Sequence, residues 1–223
     1  MPPVNDLSRR RFVGATVAAI GTVMAGAHAG VAALMLTPRQ TTGPFYPRQL
    51  PLDHDNDLVT VAGQAGLARG EIADIGGRIL DSHGKPVANA RVEIWQCDSF
   101  GRYHHPRDRR NAPLDPNFQG YGQFVTGVDG GYRFRTIKPV PYPGRAPHIH
   151  FAISGPDFEP LITQMYVAGA PENERDFLLN AITNRAARER LIVPLSPTEA
   201  SALDSSLVGV FDIVLSADGP FPG

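Results

Sequence analysis

This chain cannot run far without a turn. Its 223 residues include 23 glycines and 21 prolines, and His83-Gly84, Asp129-Gly130-Gly131 and Ser154-Gly155-Pro156 divide it into short apolar stretches. Proline removes a backbone donor and glycine weakens regular structure, so long helices are disfavoured and short strands between turns remain. The pattern predicts an all-β fold, a β-sandwich core with long loops and short helices. Candidate strands are Glu71–Leu80, Ala90–Gln96, Gly131–Thr136, His148–Ser154, Leu161–Val167 and Val208–Leu215. Within the second, Arg91, Glu93 and Gln96 interleave imperfectly with Val92, Ile94 and Trp95. The best helical window is Glu172–Arg190, where Phe177, Leu178, Ala181 and Ile182 form a stripe that breaks near Thr183-Asn184. Asp98–Asp129 shows no periodicity over about 30 residues, and a loop of that length in a compact domain is usually functional.

The N-terminus reads as an export signal. Ser8-Arg9-Arg10-Arg11-Phe12-Val13 is followed by a small, apolar run, Gly14–Gly26, and then by Ala27-His28-Ala29, a small-x-small cleavage pattern. That run of about 13 residues falls short of the roughly 20 that a spanning helix needs. We therefore expect a twin-arginine signal over 1–29, an N-terminal arm over 30–69, a β-sandwich catalytic domain over 70–223, and a periplasmic location. A membrane enters only if the signal stays uncleaved. The formal net charge is −1, and residues 1–29 carry three arginines and one aspartate, a net +2, so the remainder carries −3. That balance disfavours nucleic acid as a partner. Cys97 is the single cysteine, which excludes an intrachain disulfide and suggests a small buried hydrophobe.

Chemistry concentrates in Tyr103, Tyr142 and the pair His148-Ile149-His150, with Arg145 just ahead of the pair. In a strand His148 and His150 share a face about 6 to 7 Å apart, with Ile149, Phe151 and Ile153 opposite. That spacing suits two ligands on one ion, and equally two hydrogen-bonded histidines beside a turn. Imidazole suits zinc, copper, iron and nickel alike. A phenol with a pKa of about 10 ionises near neutrality only beside strong positive charge, so two tyrosinates would favour iron(III), Fe(3+). His104 and His105 adjoin Tyr103 and are rival ligands on spacing alone. Arg107, Arg109 and Arg110 could bind a substrate carboxylate, or could simply be solvated.

Gly101-Arg102-Tyr103, Lys138-Pro139-Val140-Pro141-Tyr142-Pro143 and Gly144-Arg145-Ala146-Pro147-His148-Ile149-His150-Phe151 resemble the intradiol ring-cleavage dioxygenases. The likeness continues in Val92-Glu93-Ile94-Trp95-Gln96, Ala112–Phe118, Asp129–Pro139, Leu161–Gln164 and Phe211–Leu215, which are most similar to protocatechuate 3,4-dioxygenase chains and cover most of residues 43–215. The resemblance selects Tyr103, Tyr142, His148 and His150 as ligands of a non-haem iron(III). It implies a catechol-type substrate such as protocatechuate, cleaved with O2 between its hydroxyl-bearing carbons to a cis,cis-muconate-type diacid. It also implies that Tyr142 leaves the metal and accepts a proton, that Arg145 stabilises charge growing on the ring, and that Gln164 assists by hydrogen bonding. Noncatalytic companion chains of that family lack the complete ligand set, so this chain looks catalytic. A homo-oligomer or a companion chain is expected.

Thr41–Pro47 resembles a segment near the family's active-site mouth, which would bring Tyr46 to the substrate unless it is only a packed aromatic of the arm. Between Tyr142 and Arg145 stands only Pro143-Gly144, where typical protocatechuate and catechol enzymes carry a longer loop with tryptophan, so the pocket is expected to be more open. That keeps hydroxyquinol or a bulkier catechol in view. Gly77–Val92 also resembles the strand-turn-strand of exported noncatalytic transthyretin-like binding modules. A zinc hydrolase on the His pair would want a third His or a carboxylate and gives the tyrosines no task.

Overall fold

The computed structural model describes residues 33–198 and 206–216. Among the described residues, two five-stranded sheets face each other. In the first, β1 (Ile72–Asp81) pairs antiparallel with β4 (Gly131–Ile137). On its other side it pairs in parallel with β9 (Leu207–Val210) and β10 (Ile213–Leu215), and β8 (Ser196–Pro197) borders β9. The second sheet runs β3 (Tyr121–Val125), β2 (Arg91–Trp95), β5 (His148–Ser154), β6 (Leu161–Val167), β7 (Ile192–Val193). This is the expected mostly-β sandwich. Among the described residues no helix is long and apolar enough to cross a membrane.

Period-two alternation builds the core. Ile75, Ile79 and Phe134 of the first sheet meet Val92, Ile94, Ile149, Phe151 and Ile153 of the second, all essentially buried. Burial of each such side chain contributes about 1.5–3 kcal/mol. Phe151 ties the layers together, edge-on to Tyr132 at 6.0 Å and to Phe211 at 5.2 Å. The opposite face of the second sheet carries the chemistry. Register places Tyr121, Trp95, His150 and Gln164 side by side across four strands, with His148 beside Tyr166 one row on. The alternation in β2 is stricter than the sequence suggests. Trp95 lies with Arg91 and Glu93 on the chemical face, while Gln96 turns inward and holds the Thr136 hydroxyl and the Ile137 carbonyl.

Three segments depart from expectation. The strand predicted over Val208–Leu215 splits at Phe211-Asp212, where the register on β1 continues unbroken but the Asp212 side chain, not backbone, accepts from the Arg78 N–H at 2.8 Å and the chain passes close over Gly77. A Cβ at Gly77 would stand 2.3 Å from the Phe211 carbonyl oxygen, so only glycine permits that approach. The Asp98–Asp129 loop contains β3, whose Tyr121-Gly122-Gln123-Phe124-Val125 lies against β2; the glycine beside an alternating run concealed it. The helical window resolves into a 3-10 turn, Pro171–Glu174, then α1 (Phe177–Asn180) and α2 (Arg185–Glu189). Asn184 caps α2 at the expected break, and Asp176 caps α1 at a second one.

Residues 33–70 form no named strand or helix, yet they are stitched to both sheets. Thr37 exchanges hydrogen bonds with Val214 of β10, and Gln40 N donates to the Ile162 carbonyl of β6 at 2.7 Å. Leu58, Val59 and Ala68 enter the main core.

Candidate active site

The site is built on β5 and closed by loops. Burial presses the imidazolium forms out: the His148 pKa is pushed down to about 3, by burial first and Arg145 second, and His150 lies well below the ordinary histidine value for the same reasons together with His148. Both rings are therefore neutral, the ligating form. His148 Nδ1 lies 2.6 Å from the Ala146 carbonyl oxygen, so Nδ1 carries the proton and Nε2 presents its lone pair. His150 lies flat on Trp95, with ring centroids 4.7 Å apart and planes 6° from parallel.

Tyr103 reaches the pair from the loop after β2. Its backbone N–H donates to Asp108 Oδ2 at 2.8 Å, and its ring is stacked by Phe45 of the arm at 4.7 Å. Asp98, Asp108 and Asp115 are buried carboxylates that organise this otherwise irregular loop by accepting backbone N–H groups. Tyr142 sits at the other side, its ring 5.8 Å from that of Tyr103 and 5.5 Å from that of His148. The structure thus brings Tyr103, Tyr142, His148 and His150 together. His148 Nε2 is 3.3 Å from His150 Nε2 and 3.5 Å from the Tyr103 hydroxyl. Donors about 2.1 Å from one ion and about 100° apart are spaced by about 3.2 Å.

The donor set also fits a hard cation chemically. Burial raises both phenols above the ordinary tyrosine value, Tyr103 strongly; ionising them requires a positive charge of the kind an ion between the four would supply. Among the described residues no three His, Cys, Asp or Glu side chains cluster as a metal site, so the zinc-hydrolase reading lacks its third ligand. His104 turns away, its Nε2 3.8 Å from Asp98. His105 Nδ1 accepts from the Arg107 N–H at 3.1 Å. Neither joins the set.

Arg145 and Gln164 stand together as expected. Arg145 Nε donates to Asp176 Oδ2 at 2.9 Å, and Nη2 donates to Gln164 Oε1 at 2.5 Å and to the Tyr166 hydroxyl at 3.2 Å. Nη1 has no protein partner among the described residues and belongs to the side chain that borders a cavity beside the Tyr142 turn. Asp176 is the residue the sequence reading missed. Its carboxylate is fully buried and also accepts from the N–H groups of Ala146, Leu178 and Leu179. Burial would raise it, but these N–H groups and the Arg145 guanidinium hold it below the usual carboxylate range. An aspartate directly before Phe177-Leu178-Leu179 was a legible helix-cap signal. The arm completes the network: Gln164 Nε2 donates to the Thr41 carbonyl at 3.1 Å, and Gln40 Oε1 lies 3.1 Å from the Tyr166 hydroxyl.

Tyr142 and Arg145 are the ends of one tight turn, each bonded to the other's backbone. Pro143 fixes the first corner, and Gly144, at φ +82°, takes the left-handed second corner. Beyond the turn lies a cavity of about 430 Å3, bordered by Tyr142, Arg145 and the Pro171–Glu174 turn. Arg110 lies over the Tyr142 ring at 4.4 Å and pairs with Asp108, which commits it; Arg107 and Arg109 are exposed. Tyr46 packs edge-on to Trp95 at 4.9 Å and donates to Glu93 at 3.0 Å, so it is a packed aromatic of the arm rather than a cavity wall.

Comparison with known proteins identifies the family. The Dioxygenase family (Dioxygenase_C) matches residues 41–217, and the chain belongs to it. It is 45% identical over 173 residues to the protocatechuate 3,4-dioxygenase beta chain of Burkholderia cepacia, covering 74% of this chain and 72% of that one. The dioxygenase domain of a dioxygenase carbohydrate-binding protein fusion from Streptomyces sp. SirexAA-E superposes with a TM-score of 0.63 at 28% identity, over 82% of this chain and 100% of that one. Catechol 1,2-dioxygenase from Acinetobacter sp. ADP1 superposes with a TM-score of 0.62 at 28% identity, over 81% of this chain and 62% of that one. The chain is thus an intradiol ring-cleaving dioxygenase, an oxidoreductase of a family that uses non-haem iron.

Proposed function

We propose that this chain holds iron(III) through Tyr103, Tyr142, His148 and His150 and cleaves a substituted catechol, protocatechuate or a relative of it, with O2 to a cis,cis-muconate-type diacid. The observation that carries the reading is the convergence of two neutral imidazoles, the buried Tyr103 phenol and the half-buried Tyr142 phenol, with His148 Nε2 within 3.5 Å of both His150 and Tyr103. Iron(III) bound there supplies the Lewis acidity that draws electron density from a chelated catecholate so that it reacts with O2.

The chain's own residues divide the remaining work. Tyr103 is buried and wedged by Phe45, whereas Tyr142 borders the cavity. Tyr142 would therefore be the phenolate free to yield its place, its oxygen positioned to take one proton from an arriving catechol. Arg145, locked by Asp176 and Gln164, offers Nη1 to the negative charge that develops on the substrate ring. Gln164 fixes the guanidinium in place and ties it to the arm at Thr41. Trp95 holds the plane of His150.

Two expectations about context belong to the same proposal. The signal over 1–29 lies outside the described residues, and its twin arginines support export to the periplasm; cell fractionation tests this. The Burkholderia relative is named a beta chain, which supports a homo-oligomer or a companion chain, read by light scattering.

The visible spectrum of protein purified without chelators is the primary test. A broad red to burgundy band is expected from tyrosinate-to-iron(III) charge transfer. A protein that stays colourless after folding with iron overturns the assignment. With Arg145→Ala the band is expected to persist while turnover falls about a hundred- to a thousandfold, the usual effect of losing a preorganised donor.

A further inference from the structure

The charges around the 430 Å3 cavity point to a substrate class. Its volume falls within the range of pockets for drug-sized ligands, about 300–1,000 Å3, and exceeds what a bare catechol ring needs. The Pro143-Gly144 turn leaves it unroofed, with nothing within 4 Å of where a side chain at Gly144 would begin. Tyr142 is the only one of the four converging donors that borders this space. A ring substituent that enters this space past Tyr142 meets the wall formed by Glu172, Glu174 and Arg175.

The charge balance of that wall is negative. Arg145 and Asp176 neutralise each other across 2.9 Å, and the Arg145 side chain is only 9% exposed. Glu172, Glu174 and Arg175 enter none of the ion pairs formed among the described residues. This side of the cavity thus carries two carboxylate residues against one guanidinium. A ring substituent ending in a carboxylate meets net repulsion there, and one ending in an ammonium meets attraction. On the dioxygenase reading above, and narrowing its substituted-catechol class away from protocatechuate, we infer that the cavity selects catechols whose ring substituent ends in a protonated amine over those whose substituent ends in a carboxylate.

An exposed charge pair changes affinity by roughly 1.5-fold to fivefold. Attraction on one ligand and repulsion on the other separate the two by about tenfold. The test is anaerobic calorimetric titration of the iron-loaded protein with three catechols of equal length, bearing 4-aminoethyl, 4-hydroxyethyl and 4-carboxymethyl groups. The expected order is amine, hydroxyl, carboxylate, with a ratio near tenfold between the ends that shrinks below threefold in Glu172→Gln/Glu174→Gln and at high salt. Equal binding, preference for the carboxylate, or a ratio that survives the double substitution overturns the inference. Oxygen uptake with unsubstituted catechol is measured in parallel and reports on the dioxygenase reading alone: uptake without the binding order sinks only the selectivity, and no uptake with any catechol sinks the reaction.

Discussion

Asp176→Ala separates the framework of the site from its metal set. The Asp176 carboxylate is fully buried, holds Arg145 Nε at 2.9 Å and caps α1 through Leu178 and Leu179. Truncating one partner of a buried ion pair costs about 3–5 kcal/mol, because the surviving charge is stranded; the lost helix cap is part of the same deletion. In a domain of this size each kcal/mol lowers Tm by about 2–4 °C, so a fall of about 6–20 °C is expected in thermal unfolding followed by circular dichroism. The pH dependence follows from the lowered carboxyl. A depressed carboxyl contributes its stability above the unfolded value of about 3.8 and loses it as pH falls through the lower folded value. The gap between wild type and variant is therefore constant near neutrality and narrows only below about pH 3.8. The visible band is expected to survive, since none of the four donors touches Asp176, while turnover falls with the released Arg145. A variant that melts within about 2 °C of wild type, or that loses its colour while still folded, refutes this account.

Other substitutions probe separate steps of the argument. Tyr103→Phe removes an oxygen donor but keeps the stack on Phe45, so folded protein that has lost or visibly shifted its colour is expected; an unchanged spectrum would remove Tyr103 from the metal set. Gly77→Ala places a Cβ against the Phe211 carbonyl, with a cost of about 1–3 kcal/mol or more from overpacking, and a melt equal to wild type would discredit the close-approach explanation. Burial, with Asp98 adding to it, pushes the Cys97 thiol up to about 12. A thiol reagent at pH 8 is expected to label Cys97 only after denaturation, and rapid labelling of the native protein would contradict that placement.

How far the sequence could be read depended on what each signal required. Local patterns were sufficient where one face was apolar: β5 and β6 have the boundaries read from His148–Ser154 and Leu161–Val167. They failed where tertiary contact decides. Nothing local in Phe211-Asp212 announces an interruption set against Gly77, which lies far away in sequence. β3 was hidden because Gly122 interrupts it and the preceding loop is organised by buried aspartates rather than by periodicity. In the site, residue types and the family resemblance together selected the two tyrosines and two histidines that the fold brings together. Trp95 and the Gln40–Thr41 contacts were missed because their roles come from strand register and from an arm that crosses both sheets, and Asp176 because its cap signal said nothing of its long-range pairing with Arg145.

That crossing arm has a kinetic consequence. Gln40 reaches Leu178 across 138 positions, and Thr41 reaches Gln164 across 123. Contacts so distant in sequence are rewarded only after a large loop-closure entropy has been spent, so they form late. The His148/His150 strand pairs with β6, near it in sequence, and is expected to gain hydrogen-exchange protection before the Gln40 amide. The enzyme's slowest folding event is then the latching of its own beginning over a centre assembled from the middle of the chain.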